Sequence, residues 1–383
     1  MKKIYIPVIM LTAFAVLTCD IPSSIRIKGN PKLRFSANMD FSDLFSENVE
    51  SSFDGDLEIF SNTKTKNQTY VIHMELFEED LDDSIDTDTG NFNILGDSFQ
   101  TLAREDLSDG DIEAISLDGI NDLLNDFLFG FSFKSVNAAL LVSGSDIVKI
   151  LSIDLKLDGI SIGEMSGFSP NGGFNKEAWT NSICWPNNSV KIDLTEHVNK
   201  GKDLSFSYEV FIPQDTIVPK NWLEDNDKKI KAELVIWLPM EFIAGNKCKD
   251  AGADILFPDD FFGGGDLFFR KELKEDGDPF TDMIQSLNLI IEMNDNPFEG
   301  AVLIVRSTGD LEIRNTLKGS AMNFIVNEEN MAKINQSEYF PFAPKFTIHL
   351  NSGSVLELPQ NFKINTICFD AMLDYTYNFQ EGE

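Results

Sequence analysis

Lys231-Ala-Glu-Leu-Val-Ile-Trp-Leu-Pro-Met-Glu-Phe242 is the stretch on which the reading of the fold turns. Leu234, Ile236, Leu238, Met240 and Phe242 fall on one side of an extended chain, with Glu233 and Glu241 on the other. That period of two predicts a strand with one buried and one wet face. Outward from it, the pattern recurs. Phe206, Tyr208, Val210 and Ile212 share a side in Ser205–Ile212, as do Leu151, Ile153, Leu155 and Leu157 in Ile150–Leu157. Further alternating runs lie at Leu33–Met39, Tyr70–Leu76, Val136–Val142, Leu287–Met293, Val302–Arg306, Lys345–Leu350, Phe362–Phe369 and Leu373–Phe379. So many short alternating runs predict a mainly β chain of antiparallel, sandwich-like sheets.

Helical spacing is rarer. Ile112, Ile115, Ile120, Leu123, Leu124, Phe127 and Leu128 recur at three to four residues, with Asp118-Gly119 as an interruption. Phe280, Met283, Ile284 and Leu287 do the same behind Asp278-Pro279, an N-cap and first-turn pair. Phe41, Leu44 and Phe45 fit a single turn.

The order of elements then repeats. Strands at Ser24–Lys28, Leu33–Met39 and Tyr70–Leu76, an acidic loop, and the helix near 119–128 have counterparts. These are Val190–Leu194, Leu204–Ile212, Ala232–Phe242, a Gly/Asp-rich loop and the helix near 279–286. The expectation is a duplicated unit: two tandem β domains, 19–165 and 181–383, each with a short helix. A Gly-rich linker over 166–180 would join them.

The first twenty residues carry the most specific signal. Lys2 and Lys3 precede an apolar run from Ile4 to Leu17, too short to span a bilayer as a helix, so residues 1–18 read as a signal peptide. Val16-Leu17-Thr18-Cys19 resembles a bacterial lipobox. With Thr18 in place of a smaller residue, it is similar to the relaxed lipoboxes of spirochaete-like envelope lipoproteins. The resemblance covers only the leader. It implies lipidation of Cys19, attachment to a membrane through that lipid, and an outer-membrane or cell-surface location ahead of the inner membrane.

Composition sets further bounds. Against 31 Lys+Arg stand 63 Asp+Glu, a net charge of −32, which excludes nucleic acid because phosphate backbones are held by clustered cations. With 42% hydrophobic residues the chain still cores like a globular protein. The charge is uneven: residues 67–133 hold 17 Asp+Glu and a single base, Arg104. In the densest part, Asp86-x-Asp88-x-Gly90 resembles the opening of a calcium loop, with Asp82, Asp83 and Asp97 as further oxygen donors. It departs from an EF-hand in the placing of Gly90 and in having Asp97 where a Glu belongs. The stretch otherwise reads as a solvated acidic loop between a strand and a helix; weak Ca2+ binding is the alternative it allows, and no other cofactor is expected.

Three cysteines follow the leader. A Cys184–Cys248 disulfide suits an exported chain, and Cys368 reads as a small buried hydrophobe in a strand. His73, His197 and His349 are far apart, unpaired by any zinc motif, and read as exposed and structural. Gly163-Glu-Met-Ser-Gly has the wrong spacing for a nucleophile elbow, and Gly263-Gly-Gly265 runs into Asp266, which would repel phosphate. The reading is therefore a non-enzymatic envelope lipoprotein, adhesin-like, with a protein or glycan partner. A second reading takes the 32 Phe as the lining of a cavity for a lipid or other apolar ligand. A third, a glycan hydrolase using two of the many carboxylates, has no spacing to support it.

Overall fold

The computed structural model describes residues 24–30, 32–40, 49, 57–81, 92–95, 98–112, 114–183, 185, 191–219, 228–256, 284–306, 312–319, 321–334, 345–360 and 362–378. Among the described residues the alternating runs form strands, every ladder is antiparallel, and six sheets result. Strand Lys229–Pro239, in the stretch quoted first, runs between Asn137–Gly144 and Thr69–Asp80. Lys191–Asp193 and Glu58–Ser61 complete that five-stranded sheet.

This central strand is wetter in sequence than in space. Leu234, Ile236 and Leu238 enter the main core, as expected. Val235 and Trp237 on the opposite side join Val71, Ala139, Leu141 and Trp179 in a second core. The wet face expected at Glu233 is absent, since that residue is 5% exposed. A covering layer is the reason. The stretch 166–180, expected as a linker, lies over the sheet: Phe174 packs against the second core, and Trp179 of helix Lys176–Asn181 is fully buried in it. Asn175 Oδ1 caps that helix by accepting from the Ala178 N–H at 3.1 Å. Asn62 Nδ2 donates to the Trp179 carbonyl at 2.6 Å. Gly172 touches the sheet so closely that a Cβ would sit 2.5 Å from the Val142 carbonyl oxygen.

The sheets also cross the expected boundary. Strands Ser152–Leu157 and Glu105–Asp111 both pair with Phe206–Ile212. Phe99–Leu102 pairs with Thr216–Pro219, and Phe131–Phe133 with Glu241–Ala244. Leu128–Phe129 pairs with Gly252–Leu256, which continues through Lys345–Asn351 and Val302–Arg306 to Glu312–Thr316. The N-terminal strands Ser24–Gly29 and Lys32–Asp40 pair with the long strand Lys363–Asn378. Arg26 grips Asp374 across that seam through two bonds of 2.6 and 2.5 Å, and this pairing holds the Asp374 carboxyl down at about 2. All six sheets, among the described residues, draw strands from both sides of 166–180. The division at 166–180 is thus not a division of the sheets. Thr69–Asp80 and Lys229–Pro239, which the duplication would equate, lie side by side in one sheet, an arrangement that neither requires nor excludes a repeat.

Of the helical expectations, Asp118–Asp122 is α-helical and Leu123–Phe127 continues it as a wider π turn, with Ile120, Leu123 and Phe127 buried. The earlier Ile112 and Ile115 lie outside it, bonded to Phe206 and Leu204. Ile284, expected in a helix, begins strand Ile284–Met293, and 279–283 lie outside the described residues, as do Phe41, Leu44 and Phe45. Among the described residues, no helix is long and apolar enough to cross a membrane.

Candidate functional site

Cys19, the acidic residues Asp82, Asp83, Asp86, Asp88 and Asp97, and Cys184 all lie outside the described residues. Cys248 is described, and it opens on a cluster that sequence spacing does not show. Residues 248–252 form a tight turn. The Ala251 N–H donates to the Cys248 carbonyl at 3.0 Å, the Cys248 N–H to the Gly252 carbonyl at 3.2 Å, and Ala251 sits at a left-handed φ of 58°. The turn folds Cys248 back over strand Gly252–Leu256. Two residues into that strand, Asp254 stands in direct register with His349 of Lys345–Asn351.

His349 Nδ1 lies 2.7 Å from Asp254 Oδ1. An ionised carboxylate only accepts, so Nδ1 is the donor. The Cys248 thiol donates to the same carboxylate, and burial, followed by the Asp254 charge, pushes it up to about 11. His349 is 4% exposed, against the exposure expected of it, and its Nε2 is buried without a hydrogen-bond partner. Alternation did place His349 off the core face. What it could not reveal is that this second face of the sheet is also covered, with Thr347 and Ile304 buried on it.

Chemically the cluster is not a nucleophile with its base. In a Cys–His pair the imidazole takes the thiol proton; here burial and the Asp254 carboxylate both favour the protonated thiol. Native Cys248 should therefore be slow to alkylate. At pH 8, iodoacetamide labelling is expected to run at least about tenfold slower than in the urea-unfolded chain, where the thiol returns to about 8.5. Peptide mass spectrometry at timed quenches measures it.

A second buried polar group lies under the 166–180 cover. Glu233 accepts from the Phe174 N–H at 2.8 Å and sits 3.1 Å from His73 Nε2. The His73 ring stacks on Phe174 with centroids 3.7 Å apart, and its Nδ1 is 3.7 Å from Glu58 Oε2. His73 is thus flanked by Glu233 and Glu58 and largely covered, where exposure was expected. His197 lies in helix Thr195–Asn199, half-buried. Cys368, expected to be buried, is half-buried in its strand.

The acidity has a defined face. Asp109, Glu209, Asp154 and Glu164 stand in register across four adjacent strands, with Lys156 bonded to Glu209 among them. Like charges directly opposite repel, so this face costs stability and stays wet.

No family model matches the chain, and no curated protein matches it. Among solved structures, the chain is similar to a protein of Parabacteroides distasonis assigned as secreted, at 14% identity over 84% of this chain and 93% of that one, with a TM-score of 0.35. A beta-glucuronidase of an uncultured Clostridium sp. aligns at 7% identity over 89% of this chain and 45% of its own, with a TM-score of 0.14. The C-terminal domain of the Streptococcus agalactiae AgI/II polypeptide BspA aligns at 8% identity over 91% and 96%, with a TM-score of 0.10. Scores this low transfer neither a fold nor a function to the chain.

Proposed function

We propose that this chain is an exported envelope lipoprotein, tethered by acyl chains on Cys19, whose β body binds a protein or glycan partner or builds surface structure without catalysing a reaction. The leader carries the reading: a dibasic start, an apolar run of signal-peptide length, and the lipobox-like junction at Cys19. The fold is consistent with a short tether. Strand Ser24–Gly29 begins five residues after Cys19, a reach of at most about 18 Å, so the seam with Lys363–Asn378 would sit against the membrane surface.

Two packing observations support a binding or structural role. The Cys248 thiol is bonded to a carboxylate and held protonated, which suits neither acyl transfer nor redox exchange. Of the phenylalanines that would line a lipid cavity, Phe261, Phe262, Phe268 and Phe269 lie outside the described residues, and several of the described ones pack on one another. Phe242 lies 4.8 Å from Phe133 and 6.4 Å from Phe131, and Phe298 lies 5.5 Å from Phe362. This favours a filled core over the carrier reading.

Metabolic labelling with palmitate tests the anchor. The wild type is expected to incorporate label and Cys19→Ala to incorporate none, with protease added to intact cells degrading the wild type. An unlabelled wild type would remove the lipoprotein reading, and full protection from protease would remove its cell-surface form.

A further inference from the structure

We propose that Cys248, Asp254 and His349 form a binding site for one borderline divalent cation of the Zn2+ class. Cys248 Sγ, a carboxylate oxygen of Asp254 and a ring nitrogen of His349 lie within 4.8 Å of one another. A tetrahedral Zn2+ with ligands at about 2.0–2.3 Å spreads its donors about 3.3–3.8 Å apart. The 2.7 Å contact between Asp254 and His349 therefore has to open by roughly 1 Å, and a separation at the 4.8 Å limit has to close by roughly as much.

The donor set chooses the class of ion. Sulfur, imidazole nitrogen and one carboxylate suit Zn2+ and its neighbours; Ca2+ and Mg2+ take oxygen. Charge closes as well, because one thiolate and one carboxylate balance a divalent cation in a partly buried site. The donors sit on rigid supports. Asp254 and His349 are register partners in a five-stranded sheet, and the left-handed Ala251 fixes the turn that carries Cys248.

The ring nitrogen beside Asp254 is Nδ1, so Nδ1 is the nitrogen that would hold the ion, while Nε2, against which Gly252 packs, lies on the far side of the ring. The half-buried Cys248 leaves the cluster reachable from solvent, and three protein donors leave the fourth position of a tetrahedral ion to water or to a donor from a partner.

Binding replaces a proton with the ion. The S–H bond of Cys248 breaks, an S–Zn bond forms and one proton passes to solvent, while the imidazole proton moves from Nδ1 to Nε2 so that Nδ1 and the carboxylate each give a lone pair, with no change in oxidation state. This site is independent of the anchor at Cys19, so either can fail alone.

The test uses the full mature chain, reduced, with Zn2+ alone in isothermal titration in two buffers of different ionisation enthalpy, and Co2+ alone as a spectroscopic probe. Expected are one ion per chain, about one proton released at neutral pH, and a thiolate-to-cobalt charge-transfer band in the near ultraviolet. Cys248→Ser and Asp254→Asn should each weaken binding by more than the roughly 10–100-fold that an outer-sphere partner commands. Circular dichroism establishes that both variants fold; if one does not, the wild-type cobalt spectrum decides. Failure to take up one ion, cobalt bound without the sulfur band, affinity unchanged in folded Cys248→Ser (loose binding to surface carboxylates), or a Cys184–Cys248 disulfide in protein purified from its envelope would each overturn the proposal.

Discussion

Phe242→Ala is expected to lower stability by about 3–5 kcal/mol, the range for removing a fully buried aromatic ring. Phe242 is 0% exposed and its ring meets Phe131 and Phe133. Its strand, Glu241–Ala244, joins Phe131–Phe133 on one side and Val355–Glu357 on the other, so the cavity would open where three distant segments meet. Well-paired strands on both sides limit collapse into the gap, which places the cost in the upper part of the range. Phe242→Leu, which refills most of the volume, should cost about 1.5 kcal/mol or less. Phe99→Ala, at a ring that is 49% exposed, should stay within about 0.5 kcal/mol. Urea midpoints at constant m measure all three.

Glu233→Ala is expected to cost about 3 kcal/mol, since it takes a buried acceptor away from two groups at once. The variant strands His73 Nε2 and the Phe174 N–H beneath the 166–180 cover. Glu233→Gln keeps the shape and should cost less. The two also separate by pH. Burial alone would push the Glu233 carboxyl up, but the bonds from His73 and the Phe174 N–H, with Lys231 nearby, outweigh it and hold the carboxyl below the ordinary range. A carboxyl lowered in the fold adds stability above its unfolded value of about 4.3, and loses it as pH falls through the folded value. The stability gap between wild type and Glu233→Gln should therefore be full at pH 6–7 and shrink below about pH 4. A gap that stays constant down to pH 3 would contradict the pairing.

How much of this was legible from sequence is seen best along Lys229–Pro239. The period of two located the strand and identified Leu234, Ile236 and Leu238 as core. It could not foresee that Val235 and Trp237 face a second core, because that depends on what covers the sheet. The cover is Phe174 and Trp179, in a stretch whose glycines read as a linker. Those glycines serve close approach instead: Gly172 has no room for a Cβ against the Val142 carbonyl, and a Cβ at Gly173 would displace the Ser143 hydroxyl. Register was equally hidden. Nothing in the spacing of Cys248, Asp254 and His349 announces that a turn and an antiparallel ladder 95 residues apart in sequence bring them together. The same holds for the apparent repeat, since strand patterns state a period and a face but not a neighbour.

The central structural claim is that the strands before and after 166–180 complete one another. Expressing residues 19–165 and 181–383 as separate chains tests it most directly, read by the dispersion of amide proton NMR spectra. The account predicts that neither fragment folds alone, because each would lose strands from every sheet and expose the core face of Lys229–Pro239 or of its partners Asn137–Gly144 and Thr69–Asp80. Two dispersed spectra, each unchanged when the fragments are mixed, would contradict it.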